Sequence, residues 1–598
     1  MIAVEFEHVS KQFEGQKTPA LDDVCIAIEE GELDRIRRFC EKAGSTNALF
    51  HIFTETPNRG KIEKIGAIIH EEMPWAQYVG CSTNGNIGGG IFTRYEVSVT
   101  CTVFEQAATK AEILQYEISE ETAKEVVEAL TLEVDKRPWV KGVELLITIR
   151  GMSLTSFCET LQHVRCDVAV FGGGALNRDI NSDEACVFSK DKGWSENAVV
   201  FILYGGSDFY ISTNYVTGWK ALGKELKVTR SERSVLYELD GNPAYETYYR
   251  YLNINNDENF FANTLEFPFL YRYNGIEILR APVSSNADGS LVMTSDMQEQ
   301  AKARIAYGDP KTILASVWET GKAMERFCPE AIAIYSCAAR RAYWGDDEVD
   351  KESQPFQHMA PTFGFFTSSE FLRTGVHVNQ HNVTLVIAAM REGLPTEEGH
   401  TVFGVKEMEK TGKVSLVQRL ATFINAATED LNEANHSLRR AAITDALTGL
   451  YNRGETQRRI MEMAERHGKT FSLLMLDLDN FKQVNDKYGH IIGDKVLVGL
   501  ADHLRYMLQT RNPSYFAGRW GGEEFMVVLP NTTVEQAAAF AEKIREGFSE
   551  INFPQAGNQT MSIGATQLID GEEADALCIR VDDALYAAKF AGKNRVVV

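Results

Sequence analysis

The hydrophobic pattern near the C-terminal end of the chain predicts a buried strand. An apolar run begins at Phe471 and ends in Asp477-Leu478-Asp479, as a strand does when it is buried on both faces and delivers acidic residues at its carboxyl end. Because side chains alternate along a strand, Asp477 and Asp479 are predicted on one side and Leu478 on the other. The pattern therefore predicts two carboxylates at one edge of a sheet.

A second pattern, about forty residues further on, predicts a β-hairpin. The runs 515–520 and 525–529 are rich in aromatic or β-branched residues, which favours two short paired strands. Gly521 and Gly522 lie between them, and glycine suits a tight turn because it takes positive φ without steric cost. Glu523 and Glu524 would therefore sit at the tip, where the glycines leave room for a bulky ligand.

These two acidic stretches predict a metal and phosphate site when they are taken together. Gly-Gly-Glu-Glu alone would be an acidic turn that faces water. Beside Glu523, however, Asp477 and Asp479 would provide an oxygen-rich site for Mg²⁺, an ion that usually keeps waters and is shared with phosphates. Phosphoryl transfer depends on this kind of positioning and charge neutralisation.

The N-terminal two thirds of the chain alternates strand and helix patterns, which predicts α/β domains. Apolar strands are predicted at 49–53, 77–80, 143–150 and 168–171, with an amphipathic helix at 123–132. The strand at 168–171 runs into Gly172-Gly173-Gly174. A tight turn is favoured there over a ligand-binding loop, because the helix and the acidic residue of a dinucleotide site are missing.

A helical stripe precedes the C-terminal domain. Its apolar residues step by alternating three and four positions: Val417, Leu420, Ile424, Ala427, Leu431, Ala434, Leu438 and Ala441. This spacing predicts the seam of a parallel dimeric coiled coil. The alternative is a single helix that packs the stripe on its own domain. The dimeric helix is favoured because it leads straight into the C-terminal domain.

Composition limits the classes of partner. The chain has 598 residues and a net charge of −23, which argues against nonspecific binding to nucleic acid or an anionic membrane surface. Ten cysteines without paired short spacings suggest neither a zinc site nor a disulfide framework. Because no apolar stretch approaches about eighteen residues, no membrane insertion is expected, and the predicted location is cytoplasmic.

The C-terminal residues resemble a GGDEF domain of the diguanylate cyclase family, in its GGEEF variant. The matching blocks are DALTGLYNR at 445–453, DLDNFKQVND at 477–486, GHIIGD at 489–494, the hairpin, SIG at 562–564 and ALYAAKFAGKN at 584–594. The resemblance implies condensation of two GTP molecules into cyclic di-GMP by a homodimer. It also implies Mg²⁺ as the cofactor, with Mn²⁺ as the alternative.

The same resemblance implies a role for each matching residue. Metal binding falls to Asp477, the carbonyl of Leu478, and Glu523. Catalytic roles fall to Glu523, Glu524 and Lys482, and the choice between the two glutamates as base stays open. Substrate binding is assigned to Asn485, His490, Asp494, Phe481, Lys589 and Lys593. Asp494 accepts from the N1–H and the amine of guanine, so it favours GTP over ATP.

One departure from the family pattern concerns product inhibition. Many relatives carry Arg-x-x-Asp just before the hairpin as an inhibitory product site. Here those four positions read Asn512-Pro513-Ser514-Tyr515. The resemblance therefore implies that feedback inhibition of that type is absent.

The residues upstream resemble a FIST sensory region. Its blocks are VGCSTNG at 79–85, CDVAVFGGG at 166–174, VLYELDGNPA at 235–244, AIYSCAARR at 333–341, PTFGFFTSSE at 361–370 and HNVT at 381–384. Ser369 stands where the family usually has glycine. The resemblance implies an unknown small ligand, with amino acids among the candidates. Cys337, Arg340 and Glu370 are the predicted pocket, since an arginine and a carboxylate could clamp an amino acid; the alternative is a salt bridge that holds the sheet.

The sequence as a whole predicts a multidomain α/β and α+β protein. The expected segments are an N-terminal strand and helix extension at 1–34, FIST sensory domains at 35–232 and 233–395, a helical coiled-coil linker at 396–441, and a cyclase-like α/β domain with a central antiparallel sheet at 442–598. The predicted function is a diguanylate cyclase controlled by a ligand of the FIST region. The alternative is a catalytically silent GTP-binding regulatory or scaffold protein.

Overall fold

The computed structural model describes residues 2–6, 30–45, 47–93, 95–149, 152–179, 184–394, 403, 416–465 and 470–598. The chain forms two compact units, Met1–Ala426 and Ala427–Val598. Sheets and helices occur in both, as the predicted α/β and α+β class requires. Among the described helices, none combines the length and the apolar character that a membrane crossing needs.

The first half of the N-terminal unit alternates strands with helices. Its helices are α1 (Glu30–Ala43), α2 (Arg59–Glu72), α3 (Ala123–Asp135) and α4 (Leu154–Leu161). Its strands are β1 (Ile2–Phe6), β2 (Ala48–Thr54), β3 (Gln77–Ser82), β4 (Asn86–Gly88), β5 (Ile91–Thr93), β6 (Val97–Val103), β7 (Lys110–Glu117), β8 (Val140–Ile147), β9 (Ala169–Gly174), β10 (Val187–Ser189), β11 (Gly193–Ser195) and β12 (Ala198–Gly205). The four predicted strands are β2, β3, β8 and β9, and the predicted amphipathic helix is α3.

The second half of this unit is richer in strands. Its helices are α5 (Ala244–Leu252), α6 (Phe260–Leu265), α7 (Pro310–Met324), α8 (Ala338–Trp344) and α9 (Asp350–Gln357). Its strands are β13 (Phe209–Val216), β14 (Trp219–Glu232), β15 (Val235–Leu239), β16 (Asn242–Pro243), β17 (Phe269–Tyr273), β18 (Ile276–Arg280), β19 (Pro282–Ser285), β20 (Leu291–Met293), β21 (Lys302–Gly308), β22 (Ala331–Cys337), β23 (Thr362–Thr367), β24 (Glu370–Thr374), β25 (His377–His381) and β26 (Leu385–Glu392).

Strands from both halves share sheets. The described residues form sheets in the orders β1-β6-β2-β3-β10-β11, β25-β24-β9-β8-β12-β7 and β13-β26-β22-β23-β4-β5, together with a sheet ordered β18-β17-β21-β14-β15-β20-β19. Thus β4 and β5 pair into the sheet of the second half, and β24 and β25 extend the sheet of the first. The expected division at 232/233 does not separate two bodies, because each half completes a sheet of the other.

The expected N-terminal extension at 1–34 is also part of this unit. Strand β1 pairs with β6 along its whole length, and the expected boundary at 34/35 falls inside α1. Residues 7–29, which include the end of the predicted first strand, lie outside the described residues. The extension therefore supplies an edge strand to the first sheet instead of forming a separate domain.

The glycine run at 172–174 belongs to a strand, so the predicted turn is wrong. Gly172 to Gly174 are the last residues of β9, buried between β8 and β24. Gly172 has φ +144, and a Cβ there would come within 2.1 Å of the Leu145 carbonyl oxygen. Only glycine permits this close approach of two backbones.

Helix α10 (Leu416–Ile443) carries the predicted seam. Every seam residue from Val417 to Ala441 is exposed in the single chain, which does not agree with the alternative that the stripe packs on its own domain. Most of the predicted linker before the helix lies outside the described residues. Phe403 is described: it is buried, packs against Phe356 at 5.4 Å between ring centroids, and its N–H donates to Glu325 Oε1 at 2.7 Å.

The C-terminal unit contains a mainly antiparallel sheet covered by helices. Its helices are α11 (Arg453–Ala464), α12 (Phe481–Tyr488), α13 (His490–Arg511), α14 (Val534–Ser549) and α15 (Ala574–Phe590). Its strands are β27 (Phe471–Leu478), β28 (Phe516–Arg519), β29 (Glu524–Pro530), β30 (Asn552–Phe553), β31 (Gly557–Asn558), β32 (Met561–Gln567) and β33 (Val596–Val597). The order β28-β29-β27-β32-β33 confirms both the buried strand β27 and the hairpin β28–β29.

Candidate active site

The candidate site lies where the end of β27 meets the tip of the β28–β29 hairpin. Asp477 of β27 pairs with Glu524 of β29 on one side and with Ser562 of β32 on the other. The N–H of Leu478 donates to the carbonyl of Glu523 at 3.4 Å. Two acidic segments that are distant in sequence are therefore joined through main-chain hydrogen bonds, as the sequence predicted.

The carboxylates of Asp477 and Glu523 influence each other electrostatically. Burial raises the pKa of Asp477, and the nearby Lys589 opposes that rise through an ion pair of 2.7 Å between its Nζ and Asp477 Oδ2. Burial also raises the pKa of Glu523, and the negative charge of Asp477 adds to the rise. A cation placed between two such carboxylates would relieve this repulsion.

The donor set suits a hard divalent cation. Asp477 and Glu523 would each offer a carboxylate oxygen and Leu478 would offer its carbonyl, which leaves coordination positions for water and phosphate, as Mg²⁺ prefers. Within the described ranges, no cluster of three or more histidine, cysteine, aspartate or glutamate side chains could hold a metal by itself. The protein ligands alone would thus bind the ion incompletely, and a phosphate-bearing ligand would complete the site.

The hairpin tip is held by Arg519 and not by glycine conformation. Neither Gly521 nor Gly522 adopts positive φ, so the predicted use of positive φ is wrong. The guanidinium of Arg519 donates to the Gly522 carbonyl at 2.7 Å and pairs with Asp445 at 3.3 Å. A Cβ at Gly522 would meet nothing within 4 Å, which agrees with the open space predicted beside the tip.

Asp445 is a supporting residue for which no role was predicted. Besides its ion pair with Arg519, its Oδ1 accepts from the backbone N–H and the hydroxyl of Thr448 at 2.9 and 2.7 Å. Asp445 therefore links the entrance of the domain to the hairpin that carries Glu523. The position of Asp445 at the start of the block 445–453 could have indicated a role for it. Nothing in the local sequence, however, identifies Arg519 as its partner.

Asp479 does not join Asp477 at the candidate metal site. It follows the last residue of β27, where strand alternation no longer applies, and its carboxylate is taken up by three donors. Ser562 Oγ donates to Oδ1 at 2.7 Å, and Thr560 Oγ1 and the Asn594 N–H donate to Oδ2 at 2.7 and 3.0 Å. The prediction of paired aspartates beside Glu523 is therefore corrected to Asp477 alone.

The predicted base-binding residues and the predicted catalytic Lys482 lie on two consecutive helices. Phe481, Lys482 and Asn485 are on α12, and His490 and Asp494 are on the first turns of α13. Phe481 is buried, whereas Lys482, His490 and Asp494 are exposed. The two helices approach each other closely at Asn485. A Cβ added at Gly493 would lie only 1.9 Å from Asn485 Oδ1. An amide and a carboxylate are thus presented on adjacent helix ends.

The two predicted phosphate-binding lysines lie at and just beyond the end of α15. Lys589 pairs with Asp477, as described above, and Lys593 Nζ donates to Asn480 Oδ1 at 2.6 Å. Both lysines therefore face residues 477–480. Positions 512–515, where many relatives carry Arg-x-x-Asp, lie elsewhere in the unit: Asn512 caps α13, and the Tyr515 hydroxyl lies 2.9 Å from Thr532 Oγ1.

Arg340, one of the three predicted sensor residues, is used for structure. It is completely buried, and its guanidinium forms two hydrogen bonds to Glu352, at 2.7 and 2.6 Å. Its Nη1 donates to the carbonyls of Thr217 and Val383, each at 2.8 Å. The amino-acid clamp is wrong for this residue, and the alternative of a salt bridge that holds the sheet is what the structure contains.

Cys337 and Glu370 lie in a buried polar region at the ends of β22 and β24. Burial raises the pKa of Glu370 well above its ordinary value, although hydrogen bonds from Thr384 and Cys337 oppose the rise, and its Oε1 has no hydrogen-bond partner among the described residues. His381, opposite Glu370 in the β24–β25 pair, is also buried, and within the same part of the chain neither of its ring nitrogens has a hydrogen-bond partner. Desolvation lowers the pKa of His381 to about 3. The sequence did not single out His381 as a pocket residue.

Family models match most of the described chain in three consecutive segments. Residues 442–595 match the model described as "Diguanylate cyclase, GGDEF domain". Residues 48–242 match the FIST N domain and residues 244–373 the FIST C domain. The boundary between the two FIST models falls near the β16–α5 junction, within a unit whose sheets both segments share.

Characterised relatives match in the C-terminal region. Diguanylate cyclase DgcP of Pseudomonas aeruginosa is 38% identical over 201 residues, which cover 32% of this chain and 29% of that protein. Diguanylate cyclase VdcA of Vibrio cholerae is 33% identical over 183 residues, 29% of this chain and 53% of that protein. This chain thus spans about half or less of the length of these relatives.

A solved structure also matches this region. It contains the coiled coil and GGDEF domain of DgcB from Caulobacter crescentus in complex with c-di-GMP. It is 34% identical and covers 31% of this chain and 99% of that chain, with a TM-score of 0.29. The chain thus contains a region that matches the GGDEF family model, preceded by regions that match the FIST N and FIST C models.

Proposed function

We propose that this protein is a diguanylate cyclase, which condenses two GTP molecules into cyclic di-GMP and releases two pyrophosphates. The observation that carries the proposal is the arrangement of Asp477, Glu523 and Lys589 at the end of β27, two mutually repelling carboxylates beside a lysine. This arrangement suits a metal-bound triphosphate, and it lies in the segment that matches the cyclase family.

Asp477, the Leu478 carbonyl and Glu523 would hold Mg²⁺, with Mn²⁺ as the alternative. When bound, the ion neutralises charge on the triphosphate and helps pyrophosphate to leave. Lys589 now neutralises Asp477; with a metal on that carboxylate, its ammonium would be free to bind phosphate oxygens. Lys482 and Lys593 would add positive charge on the same side of the nucleotide.

The guanine base would lie against α12 and α13. Asp494 accepts hydrogen bonds from the N1–H and exocyclic amine of guanine, a donor pair that adenine lacks. Asn485 would bind another part of the same edge, with Phe481 and His490 beside it. This recognition favours GTP over ATP and makes a mixed cyclic dinucleotide an unfavoured product.

In the reaction, the 3′-oxygen of each GTP attacks the α-phosphorus of the other. A new O–P bond forms, the bond from the α-phosphorus to pyrophosphate breaks, and the hydroxyl proton passes to a carboxylate at the hairpin tip, Glu523 or Glu524. Each domain would position one GTP, so two domains must meet face to face. Holding both nucleotides in this geometry supplies much of the catalysis, and the arrangement of the homodimer would be the natural point of control.

The second candidate function is a catalytically silent GTP-binding or scaffold protein. The presence of both carboxylates, the three lysines and Asp494 favours the cyclase. The deciding experiment incubates the full chain with GTP and Mg²⁺ and identifies products by mass, with Glu523→Ala as the blank. Cyclic di-GMP from the wild type alone supports the cyclase. If a version with residues 1–400 replaced by a constitutive dimeriser is also silent, the cyclase proposal fails.

The exposed seam of α10 is proposed to hold the dimer together. Replacing both Leu431 and Leu438 with Glu is expected to raise the dimer dissociation constant at least about tenfold, because a carboxylate buried without a partner costs more than about 1.4 kcal/mol. The mass in solution and the turnover per chain should fall together at low protein concentration. Asn432→Glu, which adds one carboxylate outside the seam, is the control. A variant that remains fully dimeric would contradict the proposal.

The FIST region is proposed to sense a small ligand, with Cys337, Glu370 and the adjacent His381 as the best-supported place. The unpartnered polar atoms of Glu370 and His381 support this choice, because buried polar groups normally find partners. The probe would be each of the twenty common amino acids. At least one is expected to raise the melting temperature of the full chain but not of Glu370→Gln; no response to any of them would reject this ligand class.

A further inference from the structure

The carboxylate of Asp479 is buried and accepts three hydrogen bonds. Its two oxygens accept from Ser562, Thr560 and the backbone of Asn594, and its own N–H donates to the Thr560 carbonyl at 2.9 Å. These donors come from β32, from the residue just before it, and from the turn after α15. Three of the roughly four lone-pair sites of this carboxylate are therefore used within the protein.

The turn that Asp479 holds has an unfavourable backbone conformation. Lys593 and Asn594 are consecutive residues with φ of 66° and 44°, and neither is glycine. The left-handed region is disfavoured for residues with a Cβ, so it persists only where the surroundings hold it. Here the Asn594 N–H is held by Asp479 Oδ2. Asn480, next to Asp479, is left-handed as well, with φ of 59°.

Two hydrogen bonds therefore connect residues 479–480 with residues 593–594. Asp479 binds the backbone of Asn594, and Asn480 Oδ1 accepts from Lys593 Nζ at 2.6 Å. Lys593 is thereby held beside Asn480, three residues along the chain from Asp477, the residue with which Lys589 pairs at 2.7 Å. The left-handed turn at 593–594 thus sets the position of the Lys593 ammonium relative to the candidate metal and phosphate site.

We propose that Asp479 is a positioning residue for nucleotide binding: its carboxylate holds the left-handed turn at 593–594, so that Lys593 faces the triphosphate. This inference rests on the proposed function, because it assumes that the triphosphate binds beside Asp477 and Lys589. The proposal gives different roles to the two aspartates of the Asp-Leu-Asp sequence: Asp477 binds the metal, and Asp479 positions Lys593.

The test is a double-mutant cycle on the full chain. It measures the dissociation constant of a non-hydrolysable GTP analogue in the presence of Mg²⁺. Asp479→Ala releases the turn, and Lys593→Met removes the charge, so each change alone is expected to weaken binding about tenfold, in line with the loss of one phosphate contact. If Asp479 acts through Lys593, the double variant binds no more weakly than either single variant. Effects that multiply to about a hundredfold would overturn the proposal.

A conservative variant guards against a folding defect and tests metal binding directly. Asparagine keeps one oxygen for Thr560 and Asn594 and offers its amide to the Ser562 hydroxyl, so Asp479→Asn is expected to bind the analogue within about threefold of the wild type. Its affinity for Mn²⁺, measured by electron paramagnetic resonance with the analogue present, should also be nearly unchanged. A loss of Mn²⁺ binding as large as that of Asp477→Asn would show that Asp479 is a metal ligand and reject the inference.

Binding of the GTP analogue by the wild type distinguishes a failure of this inference from a failure of the proposed function. If the wild type fails to bind the analogue, the nucleotide site itself is wrong and both ideas fall. If the wild type binds and the cycle is multiplicative, only the positioning role falls. Asp570→Asn, a change at an exposed acidic residue in the loop before α15, is the control and should leave both affinities unchanged.

Discussion

Replacing Asp477 with asparagine is expected to reduce the formation of cyclic di-GMP by about a thousandfold. Asp477 is the most deeply buried carboxylate of the proposed metal site, and an amide supplies neither its charge nor its second oxygen. Loss of metal stabilisation of about 4 kcal/mol in the transition state corresponds to that factor. The measurement is the rate of product formation at saturating GTP and Mg²⁺, with products resolved by mass.

This substitution should affect turnover more than it affects folding. The ion pair with Lys589 offsets the cost of burying the Asp477 charge, and asparagine can fill the same space without a charge. The melting temperature of the C-terminal unit is therefore expected to stay close to that of the wild type. Asp570→Asn is the control for the charge change. Turnover within about tenfold of the wild type would contradict the assignment of Asp477 as a metal ligand.

Replacing Arg340 with methionine is expected to destabilise the N-terminal unit by about 3–5 kcal/mol. The change leaves Glu352 buried without its cation, although the Trp344 Nε1–H still donates to it at 2.6 Å, and a buried charge without an opposite charge is strongly unfavourable. The carbonyls of Thr217 and Val383 lose their donor at the same time. The measurement is the free energy of unfolding in urea, followed by a signal from the N-terminal unit.

Two further variants identify the cause of that effect. Arg59→Met removes an exposed ion pair with Glu63 and is expected to cost less than about 1 kcal/mol. The double variant Arg340→Met with Glu352→Leu replaces the buried pair by apolar side chains, and it should recover much of the lost stability. If Arg340→Met were as stable as the wild type, the buried pair would not hold the sheet.

The occupied guanidinium of Arg340 changes what a sensor ligand must look like. Without that cation, the region around Glu370 and His381 contains two groups that burial keeps from ionising. Such groups donate and accept hydrogen bonds but do not bind a zwitterion through charge, and the nearby guanidinium of Arg280 already donates to the carbonyls of Asp296, Leu279 and Gln380. A response to an amino acid would therefore require the protein to move or to recruit another charged residue on binding.

The amino-acid sequence by itself determined the elements whose cause is local. Strand β27 follows from an apolar run of the right length, the β28–β29 hairpin from two strand-forming segments around Gly-Gly, and α10 from its three-four spacing. Each pattern depends on which residues neighbour each other along the chain, so no tertiary information was needed. The same holds for Asp477 and Glu523, which lie at the ends of these elements.

Only the tertiary structure decided the partners of polar groups. Asp479 looks equivalent to Asp477 in sequence, yet its partners are Thr560, Ser562 and Asn594, more than eighty residues away. Arg340 finds Glu352 only because α8 and α9 are adjacent in the fold. A carboxylate or guanidinium binds whichever donors and acceptors the folded chain brings within about 3 Å, and the local pattern of residues carries no information about them.

The arrangement of the sheets could not be predicted from the sequence for the same reason. The glycine run at 172–174 could be a turn or a strand, and the distinction depended on the Leu145 carbonyl, which passes where a side chain would stand. Likewise, β4 and β24 each pair with strands from the other half of the FIST region. Strand pairing at long range is set by which surfaces bury together, whereas the sequence pattern fixes only that a strand exists and which of its faces is apolar.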